Sequence, residues 1–374
     1  MKKYLILLPI VLGGCATLLG QRPATEAEQA ALLAKKAAEE AEIKNAEKVL
    51  EIGRFKEAQI LFKDFYGRHQ QSSYYQAARL GEADALHGME EYQKAAALYR
   101  DIYLRTIQEQ PDIAALALYK MSFTYEALGE DDKTIAALLD AKKLSDQLPV
   151  EVAEAEIPAR LAAIYGRQGR EQEAVDYLGQ ADKGVAKVMQ QQRTQVQPGW
   201  LAKTYFQMGL VSTNQLSEQN FSDFAQGQRW IQVYLFKAMK QDDETWSARA
   251  QEELQKIYRD LFTQVESSQN RDMQSRMGGD LLDLMDQAEL YKPILGQKET
   301  SYEKSFFSYL VEVRKKLDKV LYGSGETMSL TEESQRLNSI KRAGRVKADS
   351  LLPEEKKSPI PLPPKVVPEE DPNL

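Results

Sequence analysis

The sequence predicts an all-α fold in which antiparallel helix pairs stack into a solenoid. A Tyr and a Gly four residues apart return at intervals of about 40 residues, as Tyr125–Gly129, Tyr165–Gly169 and Tyr205–Gly209. Strong helix formers, namely Ala, Glu, Gln, Lys and Leu, are abundant. Runs of Val and Ile with the period of two that is typical of strands are missing from the sequence.

The N-terminus of the 374-residue chain has the features of a secretory signal. Lys2 and Lys3 precede an apolar stretch over 4–12, which is too short to span a bilayer as a mature helix. The residues that follow, Leu-Gly-Gly-Cys over 12–15, resemble the lipobox of bacterial lipoproteins. That resemblance implies cleavage before Cys15 and acylation of its thiol and its new amine.

Cys15 is the only cysteine of the chain, so no disulfide accounts for it. The alternative is a cysteine that lies in the signal peptide by chance. Ala16, not Asp, follows it. By resemblance to enterobacterial sorting rules, this favours a lipid anchor in the outer membrane that faces the periplasm. The inner membrane and surface exposure remain open.

A long helix is expected to begin near Thr25, because the chain is rich in Ala, Glu and Lys and has no Pro or Gly from there to Gly53. Thr25 and Glu28 have the spacing of a capping box. The apolar stripe of this segment is only partial. We therefore expect its C-terminal half alone to pack against the repeats.

Other positions recur in step with the Tyr and the Gly. A large apolar residue and then a small one precede each Tyr, as Met121-Ser122, Leu161-Ala162 and Leu201-Ala202, while an earlier copy has Leu80-Gly81 with Asp84 at the Tyr position. These residues share one helix face, and the small one lets a second helix approach closely. Ala162→Trp is thus expected to overpack an interface. The Gly is expected to be a left-handed helix cap.

A second helix is predicted after each Gly, with an aromatic residue, an Ala and a large residue in order. Examples are Phe55, Ala58 and Phe62 after Gly53, and Tyr92, Ala95 and Tyr99 after Gly88. The complete ordered pattern resembles the tetratricopeptide repeat over residues 36–209. The interval departs from the family's period of about 34 residues, and Asp131 and Glu171 replace the aromatic residue in two units. Helix pairs of the HEAT type are the alternative.

After Gly209 the repeat interval is lost. A polar insertion leads to apolar helical stripes, the first of which includes Trp230, Leu235 and Met239. Gly278 and Gly279 are expected to break the chain between two further helices. A final amphipathic helix is expected from about Ser301 to Leu321. We interpret these helices as divergent pairs that complete and cap the solenoid.

The C-terminal region is polar and rich in proline, and the sequence PLPP within it is either a ligand for an aromatic groove or part of an extended solvated tail. The sequence therefore predicts five segments: a signal peptide over 1–14, a lipidated tether over 15–23, an N-terminal helix with repeats over 24–209, divergent repeats and capping helices over 210–322, and a disordered tail over 323–374.

The sequence contains no pattern that predicts catalysis. His69 and His87 are the only histidines, and neither has a second ligand at metal-binding spacing. No nucleophile motif surrounds any Ser, and no phosphate-binding Gly loop is present. The net charge of −7 disfavours a non-specific nucleic-acid binder. We therefore expect no enzyme activity, no catalytic residue, no cofactor, no metal and no nucleic-acid partner.

The tetratricopeptide resemblance implies a concave groove lined by the first helix of each pair. The residues that this places in a partner-binding groove are Tyr119, Phe123, Arg160, Lys203 and Phe206. In addition, Arg79, Lys120 and Arg160 occupy the same repeat position, so a row of cations is expected to attract an acidic partner segment. The alternative is a solvated rim.

Taken with the lipobox, the repeats predict a lipid-anchored periplasmic scaffold whose partners are other envelope proteins. Similar lipoproteins serve barrel insertion, pilus secretin assembly and gliding motility, and the sequence does not choose among them. The alternative is an accessory factor associated with peptidoglycan, or a regulator of an envelope enzyme.

Overall fold

A computed structural model describes residues 26–191, 196–212, 216–292 and 298–323. These residues form α-helices and contain no strand, which confirms the predicted all-α class. The helices are α1 Glu26–Glu51, α2 Phe55–Arg68, α3 Tyr75–Gly88, α4 Tyr92–Thr106, α5 Pro111–Ala127, α6 Asp131–Lys143, α7 Ile157–Arg167, α8 Glu171–Gln191, α9 Pro198–Gly209, α10 Phe221–Met239, α11 Trp246–Ser267, α12 Arg271–Glu289 and α13 Ser301–Tyr322. Neighbouring helices pack in pairs, as in a helical solenoid.

The chain divides into two compact units, with the division between Ala141 and Lys142. The division predicted after residue 209 therefore falls inside the second unit. Cys15, Thr25 and the tail over 324–374 lie outside the described residues. The predictions of a signal peptide, a tether, a Thr25 cap and a disordered tail thus stay predictions.

In the first unit, only the C-terminal half of α1 is packed, as the sequence predicts. Ile43 and Ala46 are buried in one apolar cluster with Phe62 and Phe65 of α2. The N-terminal half of α1 is exposed; Leu33 is 67% accessible. Apolar packing therefore holds only the C-terminal half of α1.

The predicted left-handed glycines occur at three of the five turns. Gly53, Gly129 and Gly169 have φ values of 77°, 71° and 70°. Gly88 and Gly209 do not have this conformation and are the last residues of α3 and α9. The cap prediction is wrong for these two, because their missing side chains instead make room for the side chains of Phe55 and Leu235.

The small residues of the repeat pattern lie at helix interfaces. Ser122, Ala162 and Ala202 are fully buried. A Cβ on Gly81, the corresponding residue of the earlier copy, would overlap the ring of Phe62. The prediction that this position admits a close neighbour is thus confirmed.

Helices α10 to α13 share one large apolar core in the second unit. Its buried members include Leu235, Met239, Leu254 and Leu261, together with Phe306 of α13. Trp230, which the sequence places on the apolar face of α10, is 67% exposed, so that assignment is wrong. The buried positions of α10 follow Phe221, Ala225, Gln228, Gln232, Leu235 and Met239, and Trp230 falls outside that stripe.

The expected break at Gly278 and Gly279 is also wrong, because α12 continues through both residues. A Cβ on Gly278 would lie 2.5 Å from Cδ2 of Leu321. The glycine thus makes room for α13. That final helix confirms the prediction, and it starts with a capping box in which Thr300 Oγ1 accepts from the Glu303 amide at 3.2 Å.

A π-helical turn over Val152–Glu156 precedes α7 and has no counterpart in the sequence predictions. The Glu154 carbonyl lies directly against Gly184 of α8, where any Cβ would overlap it. The two backbones therefore meet without an intervening side chain. This contact fixes the wall of the cavity described below.

Candidate functional site

In the first unit, the two predicted groove cations are already paired with carboxylates of the same unit. The Arg79 guanidinium of α3 lies 2.5 Å from Oδ2 of Asp101 on α4. The Lys120 ammonium of α5 lies 2.9 Å from Oδ2 of Asp84 on α3. Each pair therefore joins two helices, and Asp101 is shared with Arg105 of its own helix.

Asp84, which replaces the repeat Tyr, is the centre of a polar network. Its Oδ1 accepts a hydrogen bond of 2.6 Å from the Tyr99 hydroxyl, while its Oδ2 receives Lys120. Burial, with the Asp84 charge, raises the pKa of the Tyr99 hydroxyl far above its usual value, so this hydroxyl remains a donor. The substitution of Tyr by Asp is thus compensated by residues of two neighbouring helices.

His87 lies one helical turn after Asp84. Its Nδ1 is 3.1 Å from Oγ1 of Thr124, and its ring contacts Tyr92 edge-on at 5.2 Å. Burial lowers the pKa of the imidazole; Asp84 opposes that shift and Lys120 adds to it. The neutral imidazole is therefore favoured, in keeping with a structural role between α3 and α5.

The aromatic residues predicted for the same surface are less accessible than expected. Tyr119 is buried, at 8% exposure, and its ring meets Phe123 edge-on at 5.0 Å. Phe123 is half-buried. Of this pair, Phe123 is the more exposed residue.

In the second unit, Arg160 is 2% exposed, so the prediction that it is a surface residue is wrong. It lies on α7, all of whose residues from Ile157 to Gly166 are buried. Lys203 of α9 is 2.7 Å from Oε2 of the buried Glu156. Phe206 packs against Trp246 with ring centres 5.7 Å apart.

The cations predicted to form one free row therefore have other roles. Arg79 and Lys120 belong to the first unit, where each is paired with a carboxylate, and Arg160 of the second unit is internal. Replacing all three cations with Glu would break the two ion pairs and bury a new charge at position 160. A loss of partner binding in that variant would therefore not identify a binding site. The role of the groove residues in binding a partner stays a prediction.

A cavity of about 300 Å³ in the second unit was not predicted from the sequence. It is bordered by the end of α6, the π-helical turn and α8, and its lining includes Lys142, Glu154, Lys183 and Lys187. Three ammonium groups and one carboxylate thus surround one opening. The only sequence signal was the i,i+4 spacing of Lys183 and Lys187, which is common on solvated helices.

Among the described residues, no group of three or more His, Cys, Asp or Glu side chains is arranged to hold a metal ion. His69 lies 3.6 Å from both Glu39 and Glu42 and contacts the Phe65 ring, so it helps to hold α1 against α2. Within the described ranges, no helix combines the length and apolar character needed to cross a membrane.

Comparisons with known proteins identify no family for this chain. No family model matches it, and no curated protein matches it. Among solved structures, the chain is similar to the crystal structure of BtubC (BKLC) from P. vanneervenii, with 18% identity over 88% of this chain and 99% of that chain. The TM-score of 0.31 is too low to carry an argument about this protein.

Proposed function

We propose that the protein is a lipid-anchored periplasmic scaffold that binds other envelope proteins through tetratricopeptide-like helix pairs. The observation that carries this proposal is the combination, in one chain, of a sequence that resembles a lipobox ending at Cys15 with helix pairs stacked on small repeat residues. A helix-pair array supplies an extended ligand-binding surface. The anchor would hold that surface near a membrane.

Acylation of Cys15 is the first step to test. Cells grown with a fatty-acid probe should yield labelled wild-type protein in the membrane pellet, and Cys15→Ser should yield unlabelled protein. Thr17→Ser is the matched control, because it changes a residue two positions further along the chain and leaves the lipobox intact. Wild-type protein without label would contradict the anchor.

Partner binding is tested by crosslinking in intact cells and purification from membranes. The scaffold proposal predicts specific protein partners, and their identity would choose among barrel insertion, secretin assembly and gliding machinery. Recovery of glycan without protein would instead favour the peptidoglycan-associated alternative. Protein and glycan are analysed in the same sample, so the result distinguishes the scaffold from the peptidoglycan-associated factor.

The role of the predicted groove is tested with a substitution that leaves the ion pairs of Arg79 and Lys120 intact. Phe123→Ala removes an accessible ring beside the buried Tyr119 and should reduce recovery of the crosslinked partner. Leu104→Ala, on the second helix of its pair, is the matched control, because Leu104 is an exposed apolar residue of the same unit. Equal loss in both variants would show that recognition does not depend on the groove.

A further inference from the structure

The lysine cavity, as we call the opening bordered by Lys142, Lys183, Lys187 and Glu154, has a donor-rich lining. Glu154 is its one carboxylate, and Oε1 of that group is 2.7 Å from the Lys187 ammonium. The local charge is therefore positive even after this pair is formed. A positive, solvent-connected cavity favours an anionic occupant.

The remaining polar groups of the lining point to the same chemistry. The Lys142 ammonium donates to Oε1 of Gln180, which uses the carbonyl of that amide and leaves its NH₂ group to donate. The Ser145 hydroxyl also borders the cavity and is able to donate. Ammonium, amide and hydroxyl donors together match the acceptor oxygens of a carboxylate or a phosphate.

Lys142 is a lining residue whose environment an anion would change. Its ammonium lies over the Tyr177 ring, 5.0 Å from the centroid. Partial burial lowers its pKa, and Glu154 only partly opposes that effect. An oxyanion in the cavity would restore the electrostatic stabilisation that the ammonium loses by leaving water.

Two walls of the cavity meet through close backbone contact, and its volume is limited. The Glu154 carbonyl packs directly on Gly184, so the π-helical turn and α8 cannot close further. A volume of about 300 Å³ lies at the lower end for ligand sites. The space admits an acidic side chain or a phosphate group and is too small for a helix.

We propose that the lysine cavity is an oxyanion site whose ligand is a carboxylate side chain of an acidic peptide segment. Lys183 favours a peptide over a free ion, because it is exposed on α8 one turn from the paired Lys187 and extends the positive surface beyond the cavity. Phosphate shares the recognised chemistry and serves as the small-ion arm of the test.

The test uses the purified, folded protein and measures binding of a fluorescent hexaglutamate peptide by anisotropy. Hexaglutamate should bind, added salt should weaken it, and hexaglutamine should not bind. Lys142→Met should weaken hexaglutamate binding roughly tenfold, since a charge-assisted contact is lost. Lys133→Met is the matched control, because Lys133 also lies on α6 above a Tyr ring but does not line the cavity.

Inorganic phosphate should compete with the peptide at a higher concentration. If phosphate binds and hexaglutamate does not, the peptide assignment is wrong. If neither ligand binds, or if Lys133→Met weakens binding as much as Lys142→Met, the site itself is refuted. Circular dichroism of both variants verifies that the helices are retained.

A second measurement needs no variant. Lysines are labelled with a limiting amine-reactive reagent and quantified by mass spectrometry with and without the peptide. Lys142 should be protected by hexaglutamate, while Lys133 should react equally in both samples. Protection absent at Lys142, or equal at both lysines, would overturn the proposal.

This inference rests on the proposed scaffold function only for the claim that the acidic segment belongs to a partner protein. The oxyanion site and the scaffold function can be refuted independently of each other. A protein that binds hexaglutamate at Lys142 but captures no envelope protein would retain the site and lose the scaffold. A protein that captures partners equally with and without Lys142→Met and does not bind hexaglutamate would retain the scaffold and lose the site.

Discussion

Within the first unit and within the second, helices approach their neighbours closely by different means. In the first unit the partner of a closely packed glycine is an aromatic ring: Phe62 lies on Gly81 and Phe55 lies on Gly88. Both rings belong to α2, so a single helix supplies the large side chains and α3 supplies the space.

In the second unit the corresponding partner is backbone in two cases. The carbonyl of Glu154 lies on Gly184, and the backbone of Ser212 lies 3.1 Å from the Cβ position of Gly166. A ring can turn or shift by a few tenths of an ångström, whereas a hydrogen-bonded main chain moves only with its element. The ring contacts of the first unit should thus accommodate changes that the backbone contacts at Gly166 and Gly184 do not tolerate.

The largest effect is expected at Gly184. Gly184→Ala places a methyl group against the Glu154 carbonyl and should lower the free energy of unfolding by about 3 kcal/mol or more. Gly179→Ala is the control on the same helix: the space around its Cβ is open, so the substitution should stabilise by about 0.5–1 kcal/mol. Chemical denaturation measures both, and equal stabilities would show that the π-helical turn yields easily.

A smaller effect is expected at Gly81, where the obstacle is the Phe62 ring. Gly81→Ala should cost about 1–2 kcal/mol, because the ring must shift inside a packed core. In the double variant with Phe62→Leu, part of this cost should disappear. A loss as large as that of Gly184→Ala would remove the distinction between ring contacts and backbone contacts.

At Gly129 the space is open and only the backbone conformation opposes a side chain. Gly129→Ala must adopt φ near 71° and should cost about 1 kcal/mol. Gly67 of α2 also has open space but no positive φ, so Gly67→Ala should not destabilise. Thermal unfolding of the two variants separates conformational strain from packing. If both behaved alike, the turn would not require a left-handed residue.

The smallest effect concerns the pH dependence of the polar network at His87. Because burial lowers the pKa of the folded imidazole below its ordinary 6.5, the unfolded chain takes up the proton more readily. The free energy of unfolding therefore falls as the pH drops through 6.5 toward the folded pKa. His87→Gln should show a shallower loss of stability between about pH 7.5 and 5.5 than the wild type. Identical profiles would contradict a titrating role for His87.

The repeat interval and the turn glycines were predictable because they depend on local chemistry. A residue such as Gly129 reveals a left-handed turn, since other residues are strained there. The buried Ala162 and the final helix from Ser301 follow from the helical spacing of apolar and small residues. The same reasoning fails at Gly88 and Gly278, where a glycine serves packing and its role depends on a partner remote in sequence.

The sequence by itself determined the helical class, the pairing of helices and the side of α1 that packs, because these follow from periodicities within single segments. The tertiary structure decided that Arg160 is internal, that Lys120 meets Asp84, and that Lys142 borders a cavity with residues of α8. A charged side chain has the same local spacing on a solvated rim and in an ion pair. Only the helix packed against it determines whether that charge is neutralised, buried or available to a ligand.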